Sequence, residues 1–384
     1  SKIQYGYNLT WYLSHPALTV LIGSWLSFFN PTVSYWLFQI FQISLMALAA
    51  FVIAKQTDDK LHKTLAFFFL LCSFVTYWML YVGNPQSFMV LSIALILSSL
   101  YQFAFAENAN QKTAERLLLA GLLISLFSKP IVLIMLPVLL LNKKTRKTTV
   151  FSILIYAVVS AIFVFVPVLN PEHISFDKLV FVATHPAFAK ENLNIYKNQY
   201  VLNAFMKDNS IHWINLVAQS DHYLNHIQIF ALSVFVNTMA GEELSPFIFK
   251  FPMLLSLVFS GAMLLLKNEN ERLQYSFLVV CSIVFTFFLS YNTVWEYQFT
   301  AALPVVAFMP ILMKVKPDWK NELKWVFFAG FFFCLPSFYF LLSGSDIDNT
   351  AMELIRFNRV VPAVVAYAMF ALLVGKRLYK ALDE

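Results

Sequence analysis

Long apolar runs separated by short polar or basic stretches dominate the pattern of this chain. A helix needs about 20 apolar residues to cross the hydrocarbon core of a bilayer. The runs that reach this length lie near residues 33–54, 64–82, 85–106, 147–168, 246–266, 273–291, 296–314, 324–343 and 358–375. The pattern predicts an all-α, polytopic transmembrane protein with about nine full spans, forming one transmembrane domain over residues 1–384.

Two other apolar stretches do not fit as single spans. Segment 16–29 is short and ends at Asn30-Pro31, and segment 116–141 is broken by Ser128-Lys129-Pro130. Proline interrupts the hydrogen-bond ladder of a helix, and irregular backbone at membrane depth requires a protein or water-filled surrounding. Each half of 116–141 is too short to cross, so we expect a re-entrant helical hairpin with Lys129-Pro130 at its turn.

Lysine and arginine predict the orientation. Loops 55–63, 107–116, 142–149, 267–272 and 314–324, with the tail 376–384, hold 18 of the 27 basic residues. Eight others fall on the opposite side, and the excess places the first set in the cytoplasm. The outer loops are then 83–85, 169–245, 292–295 and 344–357. Within 169–245 the apolar segment 227–240 predicts a short or interfacial helix.

Composition agrees with lipid as the solvent. Hydrophobic residues make up 59% of the chain and charged residues 12%, whereas a soluble domain carries about a quarter charged residues. The net charge of +6 is spread over short loops, which excludes a nucleic-acid surface as its reason. The three cysteines lie in apolar runs and indicate neither a disulfide framework nor a zinc site.

Lys129 is the strongest single candidate for chemistry. A basic residue inside an apolar stretch costs a few kcal/mol unless a partner or water receives it. One interpretation is capture of a phosphate in a cavity. The other is a lysine that reaches a surface or pairs with an acid.

Two tight outer turns carry further candidates. Asn84 and Gln86 place amides where a span begins; such amides hydrogen-bond sugar hydroxyls, and they equally serve as turn and capping residues. Glu296, between Trp295 and Tyr297, is the acid best placed to face a cavity, although a carboxylate at a helix start also has a plain capping role.

A histidine pair in the outer loop gives weak support for a metal site. His222 and His226 are four residues apart and would share a helix face, near Asp221 and His212. The spacing dictates no fourth ligand, so solvated loop histidines are the simpler interpretation. We expect no metal and no cofactor.

Several landmarks occur in an order that resembles glycosyltransferase family 87. They are His15-Pro16-Ala17-Leu18, the turn 83–87, the segment 121–130 that ends in Lys129-Pro130, Asn198-Gln199 with Asn203, and Trp295-Glu296-Tyr297. The similarity extends over most of the chain, although each motif is short.

The resemblance implies the GT-C fold and transfer of a sugar, typically mannose, from a polyprenyl-phosphate donor with inversion. It implies a substrate-binding set, with Lys129 at the donor phosphate. The other members of the set are His15, Asn84, Gln86, Asn198, Gln199, Trp295 and Tyr297. The acceptor would be a glycan, lipid or protein.

Two departures from the family concern the catalytic base. The family's aspartate follows a first span, but no acid precedes Asp58 here, and Asp58 is predicted to be cytoplasmic. We therefore expect that the first span and first outer loop lie before residue 1. Tyr297 also stands where the family has a histidine, which leaves the base unknown and Glu296 a weak candidate.

The resemblance implies an integral protein of the inner, cytoplasmic membrane, with its C-terminus in the cytoplasm and its active face outward.

Two other functions stay open. One is a transporter or flippase for a lipid-linked or polar solute, which would show paired halves and several midplane charges. The other is a non-catalytic GT-C-like subunit of a membrane complex. Membrane lipid is an expected partner, and nucleic acid is not.

Overall fold

The computed structural model describes residues 26, 28–106, 110–128, 132–165, 232–241, 244–245, 247–290, 294, 296–337 and 349–383. Every regular element within these residues is helical, so the predicted all-α class is confirmed for them. The α-helices are α1 Pro31–Ala54, α2 Lys60–Cys72, α3 Phe74–Val82, α4 Ser87–Phe105, α5 Gln111–Ser128, α6 Val132–Leu141, α7 Lys143–Phe165, α8 Leu232–Ala240, α9 Phe251–Ala262, α10 Glu269–Ser290, α11 Leu303–Val315, α12 Lys320–Cys334 and α13 Asn349–Asp383. A 3₁₀ segment, Glu296–Ala302, leads into α11.

Seven helical stretches in the described part of the chain are long and apolar enough to cross a membrane, which indicates a multi-pass membrane protein. They are Thr32–Ala54, Lys60–Tyr81, Ser87–Phe105, Ile248–Leu265, Glu269–Ser290, Glu296–Val315 and Arg356–Lys380. The other two predicted spans, 147–168 and 324–343, coincide with α7 and α12. Both predicted spans extend past the described residues. The described part of α7 begins with four basic residues among its first five, and that of α12 begins with a mixture of acidic and basic residues.

Helices α4 and α10 form the centre of the bundle. In each of these two helices, 89% of the most apolar 18-residue stretch is buried inside the protein, compared with 39% for α1. A helix that is apolar on all sides packs inside, whereas the peripheral helices keep apolar side chains exposed. On α1 these include Trp36, Ile40 and Phe51, at positions that suit contact with lipid.

One end of the bundle, which we call the charged end, contains the connections 55–59, 266–268 and 316–319, residues 106 and 110 on either side of the connection from α4 to α5, and the last turns of α13. Its elements are linked by ion pairs: Lys314 Nζ lies 3.6 Å from Asp59 Oδ2, and Arg377 Nη2 lies 2.6 Å from Asp318 Oδ2. The Arg377 guanidinium also lies over the ring of Trp319. These connections are the ones that the lysine and arginine pattern predicts to be cytoplasmic.

The other end, which we call the opposite end, contains the turn Gly83–Gln86 and the start of the 3₁₀ segment. Exposed aromatic rings surround this level, from Tyr35, Trp36, Tyr77 and Tyr81. Exposed Tyr and Trp are enriched at the two water interfaces of a membrane protein. Their position fits an interfacial belt at this end.

Helices α5 and α6 form the folded-back path that the sequence predicts. Ser99 Oγ donates to the carbonyl of Ala114 (2.7 Å) and Ser92 Oγ donates to that of Gly121 (2.8 Å), so α5 runs antiparallel to α4, away from the charged end. Asn142, directly after α6, donates to Ser276 Oγ near the start of α10 (3.5 Å), so the path returns to the charged end.

The two halves of this hairpin are unequal, and neither is among the described helices that are long and apolar enough to cross a membrane. Helix α6 has 10 residues, but α5 has 18, nearly the 19 of α4. At about 1.5 Å per residue α5 is about 27 Å long, close to the thickness of a hydrocarbon core. The predicted turn residues Lys129 and Pro130 lie outside the described residues.

The last helix also differs from its prediction. An outer loop was expected over 344–357, but α13 begins at Asn349 and continues to Asp383. Arg356, which was expected in this loop, is therefore helical and buried, and so is Arg359 three residues later. The predicted short helix in 227–240 corresponds to α8, and most of 169–245 lies outside the described residues.

Candidate functional site

Buried amides gather at the turn between α3 and α4. Gly83 ends α3 in the left-handed conformation (φ 69°), which glycine adopts without strain. Gln39 Nε2 on α1 donates to the carbonyl of Leu80 (2.8 Å), and Ser87 Oγ donates to Gln42 Oε1 (3.4 Å). These contacts bring two glutamines of α1 to the turn that carries the predicted residues Asn84 and Gln86.

This group of side chains, the amide cluster, consists of Gln39, Gln42, Asn84, Gln86 and Ser87. Gln42, Gln86 and Ser87 are fully buried. Three polar atoms have no hydrogen-bond partner among the described residues: Gln39 Oε1, Gln42 Nε2 and Asn84 Oδ1. A buried polar atom without a partner costs about 1–3 kcal/mol, so this group of three is a candidate position for water or a polar ligand.

Gln39 and Gln42 are not among the site residues predicted from the sequence. Both lie in the apolar run 33–54, where the hydropathy pattern predicts lipid or core contact. A signal was present, because two amides three residues apart lie on one side of a helix. In a span without any charged residue, that pair is the polar face.

Glu296 takes part in a buried ion pair. Arg359 Nε and Nη2 both donate to Glu296 Oε1, at 3.1 and 2.7 Å, and Ser337 Oγ donates to Oε2 at 3.0 Å. Glu296 is 4% exposed and Arg359 is fully buried. Both carboxylate oxygens therefore accept hydrogen bonds from protein groups, so Arg359 and Ser337 hold the Glu296 side chain in place.

The remaining donors of Arg359 hold the end of α12. Nη1 donates to the carbonyl of Phe332 and Nη2 to that of Leu335 (2.6 Å). These carbonyls are at the C-terminal end of a helix, where a cation is electrostatically favourable. Asn358 Nδ2 adds a bond to the carbonyl of Pro336 (3.0 Å), so the pair fastens the 3₁₀ segment, α12 and α13 together.

The amide cluster and the ion pair are neighbours at the opposite end. The 3₁₀ segment that begins with Glu296 packs against α3 and α4, the two helices that the turn Gly83–Gln86 connects. Tyr297, in the same segment, is half-buried and packs against the core. Of the predicted substrate-binding residues, Asn84, Gln86 and Tyr297 thus lie in one region.

The end of α5 reaches the same level. The two serine bonds pair residue 99 with 114 and residue 92 with 121, and the antiparallel register continues to pair Ser128 with position 85. Ser128, the last residue of α5, is buried and donates to the carbonyl of Ile124 (2.6 Å). The register therefore places the end of α5 at the level of the amide cluster.

The other predicted site residues lie outside the described residues: His15, Lys129, Asn198, Gln199 and Trp295. The same holds for His212, Asp221, His222 and His226. No group of three metal-ligand side chains occurs within the described residues. The expectation of no metal site stays a prediction, because the outer-loop histidines are not among them.

No protein-family model matches the chain, and neither a curated protein nor a solved structure is similar enough to be matched to it. The resemblance to glycosyltransferase family 87 and the GT-C fold therefore stay predictions that rest on the motifs. The amide cluster and the ion pair stand independently of that resemblance.

Proposed function

We propose that this protein is a membrane glycosyltransferase that moves a hexose from a polyprenyl-phosphate donor to an acceptor, with inversion, on the non-cytoplasmic side. The observation that carries the proposal is that α5 ends level with the buried amide cluster. Lys129 is the next residue in the chain after Ser128. A phosphate-binding cation and a set of sugar-binding amides would then meet at one place.

The chemistry of the two groups suits the two parts of the donor. Amides offer both donors and acceptors, which is what sugar hydroxyls require, and Gln39, Gln42 and Asn84 each have an atom to offer. The Lys129 ammonium would bind the phosphate and stabilise the charge that develops on it as the bond to the sugar breaks. The apolar faces of the bundle would hold the polyprenyl tail in lipid.

In the proposed reaction the acceptor oxygen attacks the anomeric carbon, and the polyprenyl phosphate leaves with the electron pair of the broken bond. The acceptor's proton goes to a carboxylate base. Glu296 is held by Arg359 and Ser337, so we assign it to positioning the 3₁₀ segment. No described residue is assigned as the base, and His15, Asn198, Gln199 and Trp295 are expected to contribute from segments outside the described residues.

The direction of the site follows from the charge pattern. If the charged end faces the cytoplasm, as its lysine and arginine content predicts, then the amide cluster opens away from it. We therefore propose the cytoplasmic membrane as the location, with the C-terminus inside.

A transporter is the second candidate, because a buried Glu296–Arg359 pair adds ionisable groups to the interior of the bundle. The pair lies at the start of the candidate span Glu296–Val315 and not at its middle, and its donors are used to hold helix ends. A charge pair that binds a transported solute would be near the midplane with a free coordination position. These features favour the enzyme.

The test uses the purified full chain with any natural N-terminal extension, reconstituted in nanodiscs with radiolabelled polyprenyl-phosphate mannose and mixed acceptors. Lys129→Ala is expected to lower sugar transfer by about 100-fold or more. Gln42→Leu is expected to lower it by about five-fold, since one hydrogen bond contributes about 1 kcal/mol. Gln102→Leu is the matched control, because Gln102 bonds Gln56 at the charged end, away from the site.

Three outcomes overturn the proposal. Transfer that is unchanged in Lys129→Ala rejects the phosphate role. Solute uptake by proteoliposomes without sugar transfer supports the transporter. Folded wild-type protein that is inactive in both assays supports a non-catalytic subunit.

A further inference from the structure

A groove at the charged end lies between α5 and α7 and has no part in the proposed transfer reaction. It encloses a cavity of about 310 Å³. Its lining comes from one face of each helix: Lys112, Glu115, Arg116 and Leu119 of α5, and Lys147, Thr148 and Phe151 of α7. The volume is at the lower end of the range for small-ligand sites, roughly 300–1,000 Å³.

The charge of this groove is not balanced by the protein. Lys112, Arg116 and Lys147 are exposed, and none forms an ion pair with an acid among the described residues. Glu115 is the one acid in the lining, and its Oε1 accepts from Gln111 Nε2 (2.9 Å). The groove therefore has an excess of positive charge.

The start of α7 makes the excess larger. Its first five residues hold four basic residues and its first turn has no acid. The N-terminal end of a helix carries a partial positive charge, so cations there are unfavourable and an anion is favoured. An anion in the groove would reduce the repulsion among the basic side chains and the repulsion between these side chains and the positive end of α7.

The groove changes from polar to apolar with depth. Both helices enter the bundle from the charged end. Deeper inside, the ring centroids of Phe127 on α5 and Tyr156 on α7 are 5.4 Å apart, so the two helices run parallel. Leu119 and Phe151 lie one turn deeper than Arg116 and Lys147. Beyond them α7 continues with exposed apolar residues, including Leu154 and Val158.

We propose that this groove binds the headgroup of an anionic phospholipid from the leaflet at the charged end, with the acyl chains along the exposed face of α7. The headgroup phosphate meets Lys112, Arg116 and Lys147, and the glycerol region meets Leu119 and Phe151. A basic rim above an apolar face between membrane helices has the polarity of such a lipid. A free phosphate ion would use the rim but not the apolar part.

The experiment titrates purified wild-type protein in detergent with phosphatidylglycerol or phosphatidylcholine and counts the retained lipids by native mass spectrometry. We expect a site that prefers phosphatidylglycerol. Each basic residue near a membrane surface contributes about five-fold, equivalent to about 1 kcal/mol. The triple variant Lys112→Gln, Arg116→Gln, Lys147→Gln is therefore expected to bind phosphatidylglycerol about 100-fold more weakly.

A matched triple variant controls for net charge. Lys60→Gln, Lys267→Gln, Lys320→Gln removes three exposed charges from the same end on other elements, outside the groove. We expect it to bind phosphatidylglycerol like the wild type. An equal loss of binding in both triple variants overturns the proposal, because it shows a response to overall charge.

Two measurements on the wild type do not depend on how the variants fold. A photoreactive phosphatidylglycerol is expected to crosslink to peptides that contain residues 111–119 and 147–158, and crosslinks confined to other helices reject the site. Inorganic phosphate at the lipid's concentration is expected not to displace it. Complete displacement, or no preference over phosphatidylcholine, overturns the proposal.

Discussion

Arg359 and Glu296 are 63 residues apart in the chain, yet Nε and Nη2 of the arginine donate to the same carboxylate oxygen, at 3.1 and 2.7 Å. Neither side chain has appreciable contact with solvent. Removal of one partner from such a pair leaves an uncompensated buried charge, so the two residues are energetically coupled.

We expect Arg359→Met and Glu296→Gln each to lower the free energy of unfolding by about 3–5 kcal/mol. The double variant should lose less than the sum, because no buried charge is left alone. Thermal unfolding in detergent measures both effects. The control is Arg377→Met, whose ion pair with Asp318 is more exposed and should contribute about 1 kcal/mol or less. Additive losses in the double variant would contradict the coupling.

Gly330 of α12 lies directly against α11. A Cβ added there would be 2.6 Å from Cγ2 of Val306. We expect Gly330→Ala to destabilise the protein by about 1–3 kcal/mol through overpacking, as measured by thermal unfolding. Gly375→Ala is the control, because nothing lies within 4 Å of its Cβ position. Adding Val306→Ala to Gly330→Ala should restore much of the lost stability. If Gly330→Ala is as stable as Gly375→Ala, the close approach of α12 to α11 is refuted.

Gly121 controls the distance between α5 and α4. A Cβ there would lie 2.9 Å from the carbonyl oxygen of Ser92, which is backbone and cannot turn aside. We expect Gly121→Ala to shift α5 and so to reduce sugar transfer about 10-fold or more, because a displacement of about 1 Å at a site has large effects on rate. Gly261→Ala, on α9 with open space at its Cβ position, should leave transfer unchanged. Normal transfer by Gly121→Ala would separate the hairpin from the site.

Orientation can be measured with single cysteines. In a chain with Cys72, Cys281 and Cys334 replaced by alanine, Ser245→Cys is expected to react with a membrane-impermeant maleimide on intact cells. Asn268→Cys should react only after permeabilisation. Both positions are exposed, and they lie before and after α9, at the two ends of the bundle. The reverse labelling pattern would invert the predicted topology.

Asp59 gives a dependence on pH. Backbone N–H groups of His62 and Leu61 donate to its carboxylate, and with nearby His62 and Lys314 they lower the pKa of Asp59 below its ordinary value of 3.8. A depressed pKa stabilises the folded state above the ordinary value, and this stabilisation disappears as the pH falls through the lowered one. The unfolding temperature of wild type should therefore exceed that of Asp59→Asn near neutral pH, and the difference should vanish in stronger acid. If the difference in unfolding temperature between wild type and Asp59→Asn stays constant into stronger acid, the charge of Asp59 has no role in stability.

Hydropathy predicted most of the helices because lipid imposes length and apolarity on each one separately. Seven of the predicted spans correspond to candidate membrane helices, and the hairpin 116–141 follows from its broken apolar run. The Glu296–Arg359 pair was not predictable in this way. Charge counting placed Arg356 and Arg359 only on the outer side of the membrane, since a pattern along the chain does not reveal which distant acid neutralises a base.

The candidate site was predictable only in part. Asn84 and Gln86 stood out because they interrupt two apolar runs, whereas Gln39 and Gln42 lie within one run. Their role depends on the packing of α1 against the turn after α3, which is a tertiary contact. Only the three-dimensional arrangement shows that four amides from two parts of the chain come together.

Helix α4 has the composition of a lipid-facing span, yet protein surrounds it in the finished molecule. In chain order α4 precedes α5, α10 and α11, so three of the helices that bury it are synthesised after it. Ser92 and Ser99 of α4 can form their hydrogen bonds to the carbonyls of α5 only after α5 has packed against α4. Insertion and assembly are thus separate events for this helix, and a chain shortened ahead of α10 would hold α4 in the membrane without its enclosing neighbours.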